Sequence, residues 1–164
     1  ASPNVRERVV EAWRSAGRGE AQADASTSSE VRKLAWNSAA QVARANVPWG
    51  TGTGDVKDAF MASHERLGYI HLVEKRINAH CQYLQLWAAL GWAGLGLTIL
   101  VVLVPLLAAV RGGDALAAVF FLLTALNWAV ESMIEVQAGA LFFAFFAFVL
   151  AGPSAQEPPP PTAH

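Results

Sequence analysis

Cysteine is nearly absent from this sequence. Cys81 is the one cysteine among 164 residues, which excludes an intramolecular disulfide framework and any metal site built from paired cysteines. Charge is also scarce, since charged residues make up 15% of the chain and the formal net charge is −1. A near-neutral chain offers no electrostatic basis for binding a phosphate backbone, so we predict no nucleic-acid partner.

The scarcity of charge is concentrated in the second half. Residues 1–80 hold all Lys and Arg residues except Arg111. Between residues 81 and 152 the charged residues are Arg111, Asp114, Glu131 and Glu135. A soluble domain distributes charge along its length to keep its surface hydrated, whereas long uncharged runs indicate that lipid is the solvent. The sequence therefore predicts an integral membrane protein, with a polar region at 1–80 and a membrane region at 81–152.

Three apolar runs predict three transmembrane helices, at about 84–110, 115–130 and 136–152. The first would extend roughly 40 Å as a helix, more than the ~30 Å hydrocarbon core of a bilayer. Arg111 weakly favours the cytoplasm for the turn after the first run. This orientation predicts that residues 1–80 and the turn Glu131–Glu135 share the opposite, extracytoplasmic side. The proline-rich tail, 153–164, is predicted to be extended and disordered.

The polar half has helical periodicity and no convincing strand. Apolar residues recur at helical spacing over 29–46 and predict an amphipathic helix. Pro48 ends this helix, a glycine-rich turn follows at 50–55, and residues 56–67 are predicted to form another helix. The predicted fold class is therefore all-α, a helical loop region followed by three membrane helices.

The strongest candidate for chemistry is the junction of the two regions, residues 78–85. It combines His80, which can exchange protons near neutral pH, with hydrogen-bonding side chains at the start of a membrane helix. Gly91 and Gly94 follow, and small residues allow another helix to approach closely. A purely structural interpretation, with His80 anchoring a helix end and the glycines packing, has equal support from the residues alone.

Other candidates have weaker support. Backbone N–H groups of the turn Gly50–Asp55 would suit a phosphate, but the turn lacks the lysine and hydroxyl of a P-loop, and a plain turn is the alternative. Glu131 and Glu135 are one helical turn apart between two runs, and are predicted to bind substrate, to pair with Arg32, or to form a hydrated turn. The histidines and glutamates of residues 64–80 match no compact ligand spacing, so no metal site is predicted.

Several segments, in order along the chain, resemble the O-antigen ligase and polymerase superfamily. His80-Cys81, nine residues, and Gly91-x-x-Gly94 resemble its His-[Asn/Ser/Gln]-x9-Gly-x-x-[Gly/Thr/Tyr] signature. The glycine-rich stretch at 50–55, the segment Ser-x-x-Arg-x-x-x-Trp at 29–36 and the segment 131–143 are also similar to the family. One departure is Cys81, because a thiol is a poorer hydrogen-bond partner than an amide.

The resemblance implies a metal-independent membrane glycosyltransferase without a cofactor, in the bacterial inner membrane. It implies the C-terminal part of a GT-C-like fold, with residues 1–80 facing the periplasm and further spans preceding this chain. The implied donor is a glycan on undecaprenyl pyrophosphate, and the implied acceptor is a hydroxyl of lipid A–core. Arg32 and His80 are the implied catalytic residues. The implied substrate-binding residues are Gln82, Tyr83, Gly50, Gly52, Gly54, Asp55, Glu131 and Glu135.

Three alternatives remain open from the sequence. An O-antigen polymerase or a protein O-oligosaccharyltransferase would share the histidine signature and use another acceptor. A non-catalytic membrane module would use the polar half to bind a partner. Because members of the family have many more spans, we predict that this chain in isolation is inactive.

Overall fold

The computed structural model describes residues 28–151, and the predicted tail 153–164 lies outside this range. Within these residues the fold is all-helical, as predicted, and contains no strand. In chain order the α-helices are α1 Ser28–Ala45, α2 Val56–Arg66, α3 Ile70–Glu74, α4 Gln82–Gly112, α5 Ala115–Val130 and α6 Gln137–Ala151. A 3-10 turn, Met133–Glu135, connects α5 to α6.

Helix α1 is the centre of the polar part. Its buried residues recur every three or four positions, as an amphipathic helix requires; they are Leu34, Ala35, Ser38, Ala39, Val42 and Ala43. One end of this face packs against Tyr69 and Leu72 around α3. The other end packs against α2 and against Ala88 and Ala89 of α4. The polar helices and the first part of α4 therefore share one hydrophobic core.

Gly91 divides α4 into two parts. Its φ of +64° and ψ of −147° are close to a region that essentially only glycine occupies. A side chain on Gly94 would overlap the Leu86 carbonyl, although residues eight apart in a straight helix are about 12 Å apart. The chain therefore bends sharply at Gly91. We call residues 82–90 the arm and residues 92–112 the membrane segment of α4.

The bend differs from the straight run predicted for 84–110. A side chain on Gly91 would overlap the carbonyl of Pro48, so the close approach that we assigned to another helix is made by the loop after α1. One face of the arm is buried inside the protein, because Gln82, Gln85 and Ala88 are each at most 1% exposed. Residues 92–112 alone still extend about 31 Å, enough to cross a hydrocarbon core.

The apolar helices follow the arm. Helix α4 is long and apolar enough to cross a membrane, and α5 and α6 are shorter apolar helices. Gly113, with φ +72°, ends α4, and Asp114 begins α5 by accepting a hydrogen bond from Ala117 N at 3.0 Å. Helices α4 and α5 form the most extensive helix pair, with Ala109 packed against Ala117 and Phe121. This antiparallel pairing returns the end of α5 to the bend and the arm.

Candidate functional site

The turn before α4 fixes the backbone of His80. The Ile77 carbonyl accepts a hydrogen bond from Nε2 of the buried His64 at 3.1 Å, and burial lowers the pKa of His64 from its ordinary value. The His80 N–H donates to Asn78 Oδ1 at 3.0 Å, and Trp36 Nε1 donates to the His80 carbonyl at 2.9 Å. His80 has a φ of +45°, which a non-glycine residue adopts only when its surroundings enforce it.

Glu131 connects the two predicted catalytic residues. Arg32 Nη2 donates to Glu131 Oε1 at 2.8 Å, and His80 Nδ1 lies 3.2 Å from Glu131 Oε2. The side chains of Arg32 and Glu131 are 38% and 41% exposed, so the group is open to solvent on one side. Three residues separated by 99 and 51 positions from one another thus form one cluster. The pairing of Glu131 with Arg32 was one of the alternatives that the sequence predicted.

The charge of Glu131 sets the tautomer of His80. Burial raises the pKa of Glu131, but the hydrogen bonds from Arg32 and His80 outweigh this effect and hold the pKa below its ordinary value. An ionised carboxylate only accepts hydrogen bonds. Nδ1 of His80 must therefore carry a proton, and in the neutral imidazole Nε2 has the free lone pair. Arg32 retains a buried Nε–H that has no hydrogen-bond partner among the described residues.

Residues next to His80 hold the turn that contains Glu131. Cys81 N donates to Ser132 Oγ at 3.2 Å, and Gln82 Oε1 accepts from Ile134 N at 3.0 Å. Gln82 is fully buried, so its contacts within the described residues are structural. Burial raises the pKa of the Cys81 thiol, and Cys81 is buried. Tyr83 donates to the Ala125 carbonyl at 3.2 Å and joins the arm to α5.

The glycine-rich turn packs on the bend in α4. Thr51 N and Gly52 N donate to the carbonyls of Ala88 and Ala89 at 2.9 and 2.8 Å, and the Pro48 carbonyl accepts from Trp92 N at 3.1 Å. A helix break leaves the carbonyls before it without their usual N–H donors. The backbone N–H groups of the glycine-rich turn replace those donors at Ala88 and Ala89. Gly50 N also donates within the loop, to Asn46 O at 2.8 Å. These three N–H groups are therefore engaged in structural hydrogen bonds.

Gly54 and Asp55, predicted with Gly50 and Gly52 to bind substrate, lie at the exposed end of this turn. Asp55 precedes α2 and its side chain makes no capping hydrogen bond. Neither residue contacts the Arg32–Glu131–His80 cluster through a hydrogen bond or ion pair of the described chain. A role of these residues in binding substrate stays a prediction.

Glu135 is separated from Glu131. The expected helical spacing does not apply, because Glu131 has extended backbone angles and the 3-10 turn begins only at Met133. Glu135 instead lines a cavity of about 330 Å³. The other lining residues are Lys57, Phe60, Met61, Arg76, Ile77, Asn78 and Val136.

Sequence reasoning missed three residues that orient the cluster: Trp36, Asn78 and Ser132. Trp36 lies in the family-like segment 29–36 and Asn78 in the candidate junction 78–85. A sequence motif does not show which backbone group each of these side chains binds. Ser132 directly follows Glu131, which is the one available signal. Within residues 28–151, no three His, Cys, Asp or Glu side chains converge as a metal site would require.

The arrangement is that of a polar cluster held at one end of apolar helices. The chain belongs to the O-antigen ligase family, whose model matches residues 4–99. Members of this family are glycosyltransferases that act on lipid-linked glycans. The match includes Arg32, His80 and Gly91 but ends before Glu131. No curated protein and no solved structure matches the chain.

Proposed function

We propose that this chain supplies the catalytic cluster of an O-antigen ligase, which transfers a glycan from undecaprenyl pyrophosphate to a hydroxyl of lipid A–core. The observation that supports the proposal is the Glu131 carboxylate, which joins Arg32 at 2.8 Å to His80 at 3.2 Å in a chain of this family. A base and a cation within one cluster are the two groups that glycan transfer from a pyrophosphate requires.

His80 acts as the general base. Its Nε2 accepts the proton of the acceptor hydroxyl while the oxygen forms a bond to the anomeric carbon of the glycan. Glu131 holds the Nδ1 proton and stabilises the imidazolium that results. The bond from the anomeric carbon to the pyrophosphate breaks, and the pyrophosphate leaves with the electron pair.

Arg32 binds the leaving pyrophosphate. Its guanidinium is a fixed fork of donors suited to phosphate oxygens, and its buried Nε–H has no partner in the described chain. In the structure, Nη2 of this guanidinium already donates a hydrogen bond to Glu131. The donor therefore competes with Glu131 for Arg32, and the carboxylate released in that exchange remains next to His80.

The topology that suits this chemistry has three spans, formed by the membrane segment of α4, α5 and α6. The cluster then faces the periplasm of a bacterial inner membrane, with residues 1–80 on the same side. The further spans that precede this chain in the full-length protein complete the donor cavity. Two observations favour this arrangement: the apolar helices, and the contact of Glu131 with Arg32 and His80 on one side of them.

The test is a transfer assay on membranes that contain the full-length protein at matched expression. His80→Ala is expected to lower transfer to lipid A–core at least 100-fold through loss of the base, and Arg32→Ala by a similar factor through loss of leaving-group stabilisation. The matched controls are His71→Ala and the exposed Arg44→Ala, each of which removes the same side chain elsewhere in the polar part.

The outcomes separate the candidate activities. Loss of transfer in the two cluster variants but not in the controls supports the assignment. Equal transfer in all four variants overturns it. If the parent extends O-antigen chains or modifies a protein, and transfers nothing to lipid A–core, the acceptor assignment is wrong and the polymerase or protein-transferase alternative applies.

A further inference from the structure

The cavity lined by Glu135 is a separate feature from the Arg32–Glu131–His80 cluster, because none of those three residues lines it. It lies between α2 and the start of α6, has a volume of about 330 Å³, and is lined in part by Asn78. Asn78 Oδ1 accepts the His80 N–H, so Asn78 belongs to the catalytic turn and to this cavity. A ligand in the cavity therefore lies next to the proposed base.

The cavity is lined by charged side chains that make few hydrogen bonds or ion pairs with the rest of the described chain. Lys57 and Glu135 line it, and neither side chain makes a hydrogen bond or ion pair with another described residue. Arg76 faces Asp58 at 3.9 Å, and both side chains are more than 70% exposed, so this contact is weak and easily exchanged. The lining thus has two cations available against one carboxylate.

The backbone of Arg76 indicates that its position is enforced. Its φ is +47°, and Arg76 and His80 are the two non-glycine residues of the described chain with positive φ. Such conformations are costly and concentrate where function requires a defined geometry. One of the two is the proposed base, and the other lines the cavity.

The remaining lining is suited to a sugar ring. Met61, Ile77 and Val136 supply apolar surface for the C–H face of a ring. Glu135 accepts hydrogen bonds from hydroxyl groups, and the amide NH2 of Asn78 donates to them. The volume is at the lower end of the range for small-molecule pockets, about 300–1,000 Å³.

We propose that this cavity binds a phosphorylated saccharide, with its phosphate on Lys57 and Arg76 and its hydroxyls on Glu135 and Asn78. The identity of this ligand as part of the acceptor rests on the proposed function. The phosphate of the acceptor is then bound in the cavity, while the reacting hydroxyl of the same molecule reaches His80. Lys57 and Glu135 are specificity residues for the acceptor and have no part in the proton transfer.

The first test is binding without turnover. Full-length protein in nanodiscs of zwitterionic lipid is titrated with glucose 6-phosphate, glucose and inorganic phosphate. Lys57→Gln is expected to weaken glucose 6-phosphate about tenfold, because a charge-assisted contact is lost, and Glu135→Gln to weaken both sugars. The control Lys75→Gln makes the same charge change at an exposed residue outside the cavity and is expected to change nothing.

The second test is the KM for the acceptor. With a phosphate-bearing acceptor, Lys57→Gln is expected to raise this KM about tenfold at unchanged kcat, and with the dephosphorylated acceptor to have no effect. If Lys57→Gln changes neither glucose 6-phosphate binding nor this KM in an active enzyme, the cavity proposal is overturned and the proposed function stands. If the parent transfers nothing but Lys57→Gln still weakens glucose 6-phosphate binding about tenfold, the cavity proposal stands and the proposed function is wrong.

Two outcomes would assign the cavity to another ligand. If inorganic phosphate binds as tightly as glucose 6-phosphate, the cavity is a plain anion site and the saccharide assignment is overturned. Loss of glucose 6-phosphate binding when phosphatidylglycerol is added to the nanodiscs would assign the cavity to a lipid headgroup, which also overturns the proposal.

Discussion

The indole N–H of Trp36 donates to the carbonyl oxygen of His80 at 2.9 Å, across 44 residues of sequence. Helix α1 therefore supplies two contacts of the cluster. Arg32 binds the Oε1 oxygen of Glu131, and Trp36 fixes the backbone of His80. Because α1 is held by its buried face, the positions of Arg32 and His80 are set by one rigid element.

Trp36→Phe tests this backbone contact. The aromatic ring remains, but the donor is lost, and a hydrogen bond of this kind contributes about 0.5–1.5 kcal/mol. We expect kcat/KM for transfer to fall roughly three- to tenfold as the left-handed backbone of His80 relaxes. Trp49→Phe, at an indole that is 84% exposed, is the matched control, and an equal loss in both variants would contradict the assignment.

Glu131→Gln tests the carboxylate. The pKa of Glu131 is lowered in the folded protein, so its ionised form adds stability above the ordinary glutamate pKa of about 4.3, and that stability is lost as the pH falls through the lower folded value. The side chain is partly exposed, so the gain is at most about 1 kcal/mol. The Tm difference between parent and Glu131→Gln should persist at pH 5 and vanish only in stronger acid. A difference that already disappears near pH 5 would rule out the lowered pKa.

Gly91→Ala tests the bend in α4. An alanine there requires an unfavourable positive φ, which costs on the order of 1–3 kcal/mol, and its methyl group would overlap the Pro48 carbonyl. We expect a lower Tm and loss of transfer. Gly96→Ala, in the same helix with open space around it, should be neutral or slightly stabilising. Equal behaviour of the two variants would show that the bend is dispensable.

Cys81 is expected to react slowly with maleimides. The thiol is buried and burial raises its pKa, so the reactive thiolate is scarce below an ordinary thiol pKa of about 8.5. Peptide mass spectrometry after labelling of intact membranes would quantify this. Thr53→Cys, at an exposed residue of the glycine-rich turn, should label rapidly in the same experiment, and comparable rates at the two residues would refute the expectation.

The sequence was sufficient to predict most of the helices, though not Ile70–Glu74, and to select the residues of the cluster. Helical spacing predicted α1 at 29–46, against the observed Ser28–Ala45, because a buried face leaves a periodic signal. Arg32, His80 and Glu131 were all selected, and the structure brings them together. Their assembly required knowing how the ends of α1 and α5 meet the arm, which local patterns do not encode.

The features that escaped prediction depend on non-local contacts. Glycine is common in membrane helices, so nothing in the run 84–110 indicated that Gly91 breaks it; the break is stable because Thr51 and Gly52 satisfy the carbonyls it frees. Glu131 and Glu135 were expected to lie one helical turn apart. The extended backbone at Glu131 sends the two carboxylates to different neighbours instead.

The separation of 99 positions between Arg32 and Glu131 also sets an order of events during synthesis. At about 5–20 residues per second, Arg32 leaves the ribosome roughly 5–20 s before its counter-ion exists. During that interval α1 displays an unneutralised guanidinium and the histidine turn lacks its anchor. A polypeptide that is truncated before the end of α5 therefore has neither the Arg32–Glu131 bridge nor the contact between Glu131 and the imidazole of His80.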